Sequence, residues 1–234
     1  MEEVFKKYAL NFDMNIPEIN YKYYHSLRVS NLCEEIAKSL NLNEKEILLA
    51  KQIGLLHDIG RFEQWKKFKS YHDPDSIDHG DLGVEILFNK KLIDAFNITD
   101  NLDILYNAIK YHNKFTLPKL DSYTELFCNI IRDADKIDIL YLISNNEYNI
   151  FDNTNEEATN INREDFYNEK TIKNINVKNA NDGILCKIAF LNDLNFGVSK
   201  DYILKNKYLD KIYDGLKHKE PLKEFFEKLG VIKC

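Results

Sequence analysis

Residues 43–62 read NEKEILLAKQIGLLHDIGRF, and the organisation of the rest of the chain is inferred from this stretch. Asn43 is a good helix N-cap, and Glu46 three positions later completes a capping box. The residues that follow form an apolar run with helical spacing. Its members are Ile47, Leu48, Leu49, Ala50, Ile53, Leu55 and Leu56. The stretch therefore predicts a buried helix that begins at residue 44.

The dipeptide His57-Asp58 closes this apolar run. On a helical wheel His57 falls on the buried stripe, above Ala50 and Ile53. Gly60 follows and predicts the end of the helix. An imidazole and a carboxylate buried side by side need a partner, and a metal ion is one such partner.

Composition limits the class of protein. The chain has 234 residues, 44% hydrophobic and 30% charged, which suits one medium domain or a domain with a small appendage. A net charge of -6 argues against general nucleic-acid binding. We expect no membrane span and no signal peptide, because no window is long and apolar enough. The four cysteines form no CxxC pair, so we expect reduced thiols and a cytoplasmic protein.

Helical periodicity dominates the rest of the chain and predicts an all-α fold. A short helix is expected within residues 1–19, and residues 63–78 are expected to form a loop over the site. The longer predicted helices cover residues 20–40, 78–88, 101–112, 122–142, 183–195, 199–217 and 221–229. Ser122 and Glu125 predict a capping box for one of them.

The predicted domain organisation is a helical core at residues 1–143 followed by a C-terminal helical extension at residues 144–234. Residues 144–182 are rich in asparagine and only weakly periodic. They favour a long loop with a short helix, or a mobile lid. A lid, a specificity element and a homodimer contact are the alternatives for the extension as a whole.

Several apolar stripes carry one polar group that can bind metal. Any single one of these groups has an ordinary alternative, because buried histidines are commonly hydrogen-bonded core residues and Asp135 could pair with Arg132 or Lys136. Together they favour one shared ligand, since several buried titratable groups are costly without it. The set is His25, His57, Asp58, His79, His112 and Asp135.

These residues resemble the HD-domain superfamily of metal-dependent phosphohydrolases. The matching motif is H…HD…D, carried by His25, His57-Asp58 and Asp135 in the words HSLRV, LLHDIGRF and RDADKID. The resemblance covers about residues 20–143 and implies a helical bundle. It also implies a divalent metal cofactor, one or two ions of Mn, Fe, Co, Ni, Zn or Mg.

By resemblance, the first ion would take His25, His57, Asp58 and Asp135 as ligands. The second ion would take His79 and His112, with Asp58 bridging the two. Such a pair of ions would produce a hydroxide nucleophile at neutral pH. Asp58 would then be catalytic through the metals it holds.

Three basic residues are candidates for contact with substrate phosphate: Arg61, Lys136 and Arg28. Arg61 and Lys136 are also expected to assist catalysis. The alternative for each is surface charge or a salt bridge.

Trp65 and Phe68 either stack on a base or fix the loop to the core. A second dipeptide, His72-Asp73, is expected to be a loop pair that does not bind metal, and a position near the substrate is open for it.

The predicted function is hydrolysis of a phosphate ester of a nucleotide or another small molecule by a metal-activated hydroxide. Relatives that cleave cyclic dinucleotides carry a GYP segment after the position of His112, and this chain reads HNKFTLPKL there. This difference argues against a cyclic dinucleotide as the substrate. Two alternatives stay open. One is a di-iron oxygenase on the same scaffold, and the other is a non-catalytic sensor that binds nucleotide and metal.

Overall fold

The computed structural model describes residues 1–147 and 152–232, and within them it contains α-helices, short 3₁₀ and π turns, and no strand. The predicted all-α fold is confirmed. The chain divides into two compact units, Met1–Asp135 and Lys136–Cys234. This division falls inside one helix, while the boundary expected from the sequence at residue 143 stays a prediction.

The first unit is a helical assembly around the stretch quoted above. Its helices are α1 (Glu2–Ala9), α2 (Pro17–Ser39), α3 (Glu44–Leu56), α4 (Ile59–Phe68), α5 (His79–Val84), α6 (Leu102–Tyr111) and the first part of α7 (Ser122–Ser144). A π turn at Glu85–Asn89 extends α5, and 3₁₀ turns cover Asp73–Asp75 and Leu92–Phe96. These elements agree with the predicted helices to within a few residues, apart from α4.

Close contact between α2 and α3 brings two ligand-bearing segments together. Gly54 makes this possible, because a Cβ atom there would lie 2.8 Å from the Cα of Ser30 and 2.9 Å from the Sγ of Cys33. A larger side chain would therefore push the two helices apart.

The prediction for residues 63–68 was wrong. They form the second half of α4 and are not a loop. Gly60 does not end a helix either, since it lies inside α4 and the chain changes direction at Asp58 (φ −101°, ψ 16°). A Cβ atom at Gly60 would collide with the carbonyl oxygen of His79. The glycine allows α4 and α5 to touch, which helical periodicity alone does not reveal.

The two predicted caps have different outcomes. The Asn43 Oδ1 atom accepts hydrogen bonds from the amides of Lys45 (3.0 Å) and Glu46 (3.1 Å), so the first capping box is confirmed. At α7 the cap is Asp121 instead of Ser122. Its Oδ1 atom accepts from the amides of Tyr123 and Thr124, both at 3.0 Å.

The second unit continues α7 and adds α8 (Asn160–Tyr167), α9 (Ala180–Ile188), α10 (Gly197–Lys205), α11 (Tyr208–Gly215) and α12 (Lys223–Lys228). The single helix predicted at 199–217 was wrong. It is broken into α10 and α11 at Lys207, which has a left-handed backbone with φ +55°.

Asparagine side chains organise the connector before α9. Asn153 Oδ1 accepts from the amide of Lys217 (3.1 Å), and Asn162 Nδ2 donates to the carbonyl of Asn176 (3.0 Å). Both asparagines are buried. Of the two alternatives for residues 144–182, the loop with a short helix agrees with α8, although residues 148–151 lie outside the described part.

Cys33, Cys128 and Cys186 are free, buried thiols, and Cys234 lies outside the described residues. Among the helices of residues 1–147 and 152–232, none is both long enough and apolar enough for a membrane span.

Candidate metal centre

Six predicted ligands meet in the first unit, and each is placed by a helix or a helix end. His25 lies in α2, His57 directly follows α3, and Asp58 precedes α4. His79 is the first residue of α5, His112 follows α6, and Asp135 lies in α7. All but Asp135 are buried, and its side chain is 23% exposed. The sequence therefore predicted this convergence.

The four histidines form two facing pairs. The Nε2 atoms of His25 and His57 lie 3.2 Å apart. The Nε2 atoms of His79 and His112 lie 3.0 Å apart. The His57 and His112 rings are also neighbours, with centroids 5.0 Å apart. Each pair thus points two ring nitrogens at one small region.

Hydrogen bonds at Nδ1 fix the tautomer of three of these rings. His57 Nδ1 donates to the carbonyl of Gly54 (2.8 Å), and His112 Nδ1 donates to the carbonyl of Ile109 (2.7 Å). His79 Nδ1 donates to a carboxylate at 2.6 Å. Because Nδ1 carries the proton in each neutral ring, Nε2 presents a lone pair.

Asp58 lies between the two pairs and directs one oxygen at each. Its Oδ2 atom is 3.4 Å from His25 Nε2 and 3.6 Å from His57 Nε2. Its Oδ1 atom is 3.4 Å from His79 Nε2 and 3.7 Å from His112 Nε2. One carboxylate therefore serves both pairs, which is the arrangement a bridging ligand needs.

Asp135 lies beside the first pair of histidines, His25 and His57. Its Oδ1 atom is 3.2 Å from His25 Nε2 and 3.9 Å from His57 Nε2. Two groups of three residues have ligand atoms that all lie within 4.8 Å of one another. One group is His25, His57 and Asp135, and the other is His57, Asp58 and His112. At the Nε2 atoms, the first pair thus faces both Asp58 and Asp135, and the second pair faces Asp58.

Burial and neighbouring charge set the protonation states. Burial lowers the pKa of His57 to about 3, and burial together with the Arg61 guanidinium lowers the pKa of His79 to about 4. Burial alone would raise the pKa of Asp58, but Lys22 and the imidazoles hold it well below its usual value. At neutral pH His57 and His79 are therefore neutral and Asp58 is ionised, and these are the forms that bind metal.

The arrangement fits divalent cations. In the second pair the two Nε2 atoms face each other at 3.0 Å, and two ring lone pairs at this distance repel each other unless a positive charge lies near both. Asp58 Oδ1 is buried and has no hydrogen-bond partner among the described residues. Imidazole nitrogen and carboxylate oxygen together suit Mn, Fe, Co, Ni or Zn.

Lys22 is a site residue that the sequence analysis missed. Its Nζ atom lies 2.7 Å from Asp58 Oδ2, and it also lies 5.6 Å from the ring centroids of Tyr21 and Tyr71. Lys22 precedes His25 by three positions, so both share a face of α2. That spacing is the signal that could have identified it.

Asp73 is the second residue whose contact with a predicted ligand the sequence does not reveal, because it lies in a polar stretch without an apolar stripe. His72 is exposed and contacts Asp75 at 2.7 Å. Asp73 instead is the carboxylate that accepts from His79 Nδ1, and it also contacts Arg61 Nη1 at 2.9 Å. The two halves of the dipeptide thus have different surroundings.

The candidate phosphate contacts are placed differently from one another. Arg61 Nε lies 3.6 Å from Asp58 Oδ1, next to the ligand cluster. Lys136 Nζ contacts Asp193 Oδ2 at 2.6 Å within the second unit. Arg28 lies in α2 one turn after His25 and is half-buried. Arg61 thus lies beside a predicted ligand, and the roles of Lys136 and Arg28 stay predictions.

The aromatic candidates lie on α4. The Trp65 ring packs against Tyr71 with centroids 5.0 Å apart, whereas Phe68 is 45% exposed. The contact of Trp65 agrees with the alternative in which it holds the following segment in place.

Comparison with known proteins adds one finding to this geometry. The family model described as HD domain matches residues 23–140. That range contains all six predicted ligands. No curated protein and no solved structure matches the chain.

Proposed function

Because the chain belongs to the HD domain family, we propose that it is a metal-dependent phosphohydrolase that cleaves a phosphate ester of a nucleotide or another small molecule. Proteins with this domain are typically metal-dependent phosphohydrolases. The substrate, the number of ions and their identity are part of the proposal.

One observation carries the proposal: Asp58 directs Oδ2 at the His25–His57 pair and Oδ1 at the His79–His112 pair, with all four distances between 3.4 and 3.7 Å. In this proposal His25, His57, Asp58 and Asp135 hold one ion, and His79, His112 and Asp58 hold the other. Bound divalent ions would supply Lewis acidity, which lowers the pKa of water and stabilises charge on a phosphoryl oxygen.

The chain's own residues contribute orientation and charge. Backbone carbonyls and Asp73 accept hydrogen bonds from Nδ1 of three histidines, which leaves Nε2 of each ring as the atom that would hold an ion. The guanidinium of Arg61 lies beside Asp58 and can contact a phosphoryl oxygen in the same region. The ammonium of Lys22 is a second cation at this place and can also pair with phosphate.

The test is elemental analysis of anaerobically purified protein, with a panel of nucleotides and small phosphate esters assayed on the same sample. About two metal equivalents with release of phosphate would support the proposal. A sample that neither contains metal nor takes it up would contradict it.

Measurements of oxygen consumption and of nucleotide binding on the same sample separate the two alternatives. Two iron equivalents with oxygen consumption and no hydrolysis would indicate a di-iron oxygenase. Tight nucleotide binding without turnover over several metals would indicate a sensor. A cytoplasmic location and a homodimer contact of residues 144–234 stay predictions, and size determination in solution tests the second.

A further inference from the structure

Asp73 lies between α4 and α5 and uses both carboxylate oxygens within the site. Its Oδ2 atom accepts hydrogen bonds from His79 Nδ1 at 2.6 Å and from Asn113 Nδ2 at 3.1 Å. Its Oδ1 atom accepts from Arg61 Nη1 and Gln64 Nε2, both at 2.9 Å. Four side chains from three parts of the first unit therefore meet on one carboxylate.

The segment that carries Asp73 is fixed in place by Gln64. This glutamine is fully buried in α4, and its Nε2 atom also donates to Ser76 Oγ and to the carbonyl of Ile77, both at 2.9 Å. The Arg61 Nη1 atom adds a bond to the carbonyl of Tyr71 at 2.7 Å. Side chains of α4 thus bind the irregular segment on both sides of residue 73.

The histidines differ in how Nδ1 is held, and the reason is their position on a helix. His57 and His112 each follow the last residue of a helix, where carbonyls without helical partners are available three residues back. His79 is the first residue of α5, and helix starts offer free amides instead of free carbonyls. An acceptor for His79 must therefore come from elsewhere in the chain.

We propose that Asp73 is a positioning residue that holds His79 as a ligand of the second metal ion and, through the same carboxylate, holds Arg61 beside that ion. This inference rests on the proposed function. A carboxylate on the outer nitrogen of a metal-binding histidine fixes the tautomer and ring orientation and strengthens the ligand. The other oxygen of Asp73 holds Arg61, the cation that is expected to contact substrate phosphate.

The experiment compares the wild-type chain with Asp73→Ala and Asp73→Asn, and uses Asp75→Ala as the matched control. Asp75 lies two residues away, its side chain is 74% exposed, and it contacts His72 at 2.7 Å. Mn²⁺ binding is measured by calorimetry and elemental analysis after dialysis. Electron paramagnetic resonance of the same samples distinguishes coupled from isolated Mn²⁺.

For the wild type and Asp75→Ala we expect two bound Mn²⁺ ions and a coupled signal. For Asp73→Ala we expect one ion bound with unchanged affinity, a second bound about 10–100-fold more weakly, and an isolated Mn²⁺ signal. Asp73→Asn is nearly isosteric, but it lacks the charge and replaces one of the two acceptor oxygens by an amide donor. It should weaken the second ion in the same direction.

Each contrary result has a definite meaning. Wild-type affinity for both ions in the two Asp73 variants would overturn the inference and leave the proposed function standing. Equal loss of both ions in Asp73→Asn would also overturn it, because that is the result of a purely structural role. Failure of the wild-type chain to bind a second ion would contradict the binuclear form of the proposed function as well.

Discussion

The Lys22 ammonium lies 2.7 Å from Asp58 Oδ2, the oxygen that also faces His25 and His57. A cation from the chain therefore contacts the carboxylate that is the predicted bridging ligand. A charge-assisted hydrogen bond of this kind is among the stronger ones in proteins. Metal binding at the first pair must compete with it.

Replacing Lys22 by methionine should tighten metal binding at this pair. The variant removes both the hydrogen bond on Asp58 and the repulsion between ammonium and metal ion. A hydrogen bond to a charged group contributes about 1.5–3 kcal/mol, so we expect an affinity increase of about tenfold or more. Calorimetric titration with Mn²⁺ measures it. Lys51→Met is the control, since Lys51 has a comparable pairing with Glu34 at 2.6 Å. Equal affinities of Lys22→Met and wild type would contradict the expectation.

Asp58→Ala should lose both metal ions and all hydrolytic activity, because one carboxylate faces both histidine pairs. Asp135→Ala provides the contrast. Asp135 Oδ1 lies 3.2 Å from His25 Nε2 and contacts the first pair, so its removal should weaken one ion and spare the other. Elemental analysis after dialysis measures both variants. Two ions retained in Asp58→Ala would eliminate the bridging assignment.

His72→Ala should keep metal content and activity near wild type. The His72 side chain is 61% exposed and its Nδ1 atom contacts Asp75 at 2.7 Å. Replacement of the adjacent residue, Asp73, is expected instead to weaken binding of the second ion. Metal analysis of this variant is a direct test of which histidine-aspartate dipeptide binds the ions. Loss of metal would mean that the second dipeptide had been assigned wrongly.

Helix periodicity explains why most of the site was predictable. His25, His57 and Asp135 each lie on an apolar stripe, and the spacing of 3.6 residues per turn determines which side chains face inward. His79 and His112 lie at helix ends that the sequence placed within one residue. The motif H…HD…D then predicts that these helices meet at one site, which helical periodicity alone cannot predict.

The parts that could not be predicted depend on tertiary contacts. Asp73 lies in an irregular segment without periodicity, so nothing local shows that it reaches His79. Gly60 is a residue type that is typical of helix ends, but in this chain it permits contact between α4 and α5. Lys22 shares a helix face with His25, yet its pairing with Asp58 requires the approach of α2 to α4.

Arg61→Lys should lower kcat/KM strongly despite keeping the charge. Arg61 Nη1 donates to Gln64 Oε1 (2.7 Å), the Tyr71 carbonyl (2.7 Å) and Asp73 Oδ1 (2.9 Å), and a lysine cannot reproduce this planar fork. We expect a loss of about 10²-fold, comparable to removal of one preorganised donor. Arg163→Lys in the second unit is the matched control. A kcat/KM within twofold of wild type for Arg61→Lys would argue against contact with substrate.

Asp182 gives the second unit a pH-dependent contribution to stability. It is fully buried, and its carboxylate accepts from the amide of Thr159 (2.8 Å), the Thr159 hydroxyl (3.0 Å) and the amide of Lys178 (2.9 Å). Burial alone would raise the pKa of Asp182, but the hydrogen bonds from Asn162, Lys178 and Thr159 hold it below its usual value.

Because the pKa of Asp182 is lower in the folded chain, its stabilisation is complete above the unfolded-state pKa of about 4 and declines as the pH falls through the folded-state value. Asp182→Ala should therefore destabilise the second unit by about 1–3 kcal/mol at pH 7, since it leaves buried donors without an acceptor. The difference between variant and wild type should shrink as the pH falls toward 3. Hydrogen exchange of residues 159–188 in metal-free protein, measured at several pH values, follows this unit separately. A difference that stays constant down to pH 3 would show that the carboxylate charge does not contribute.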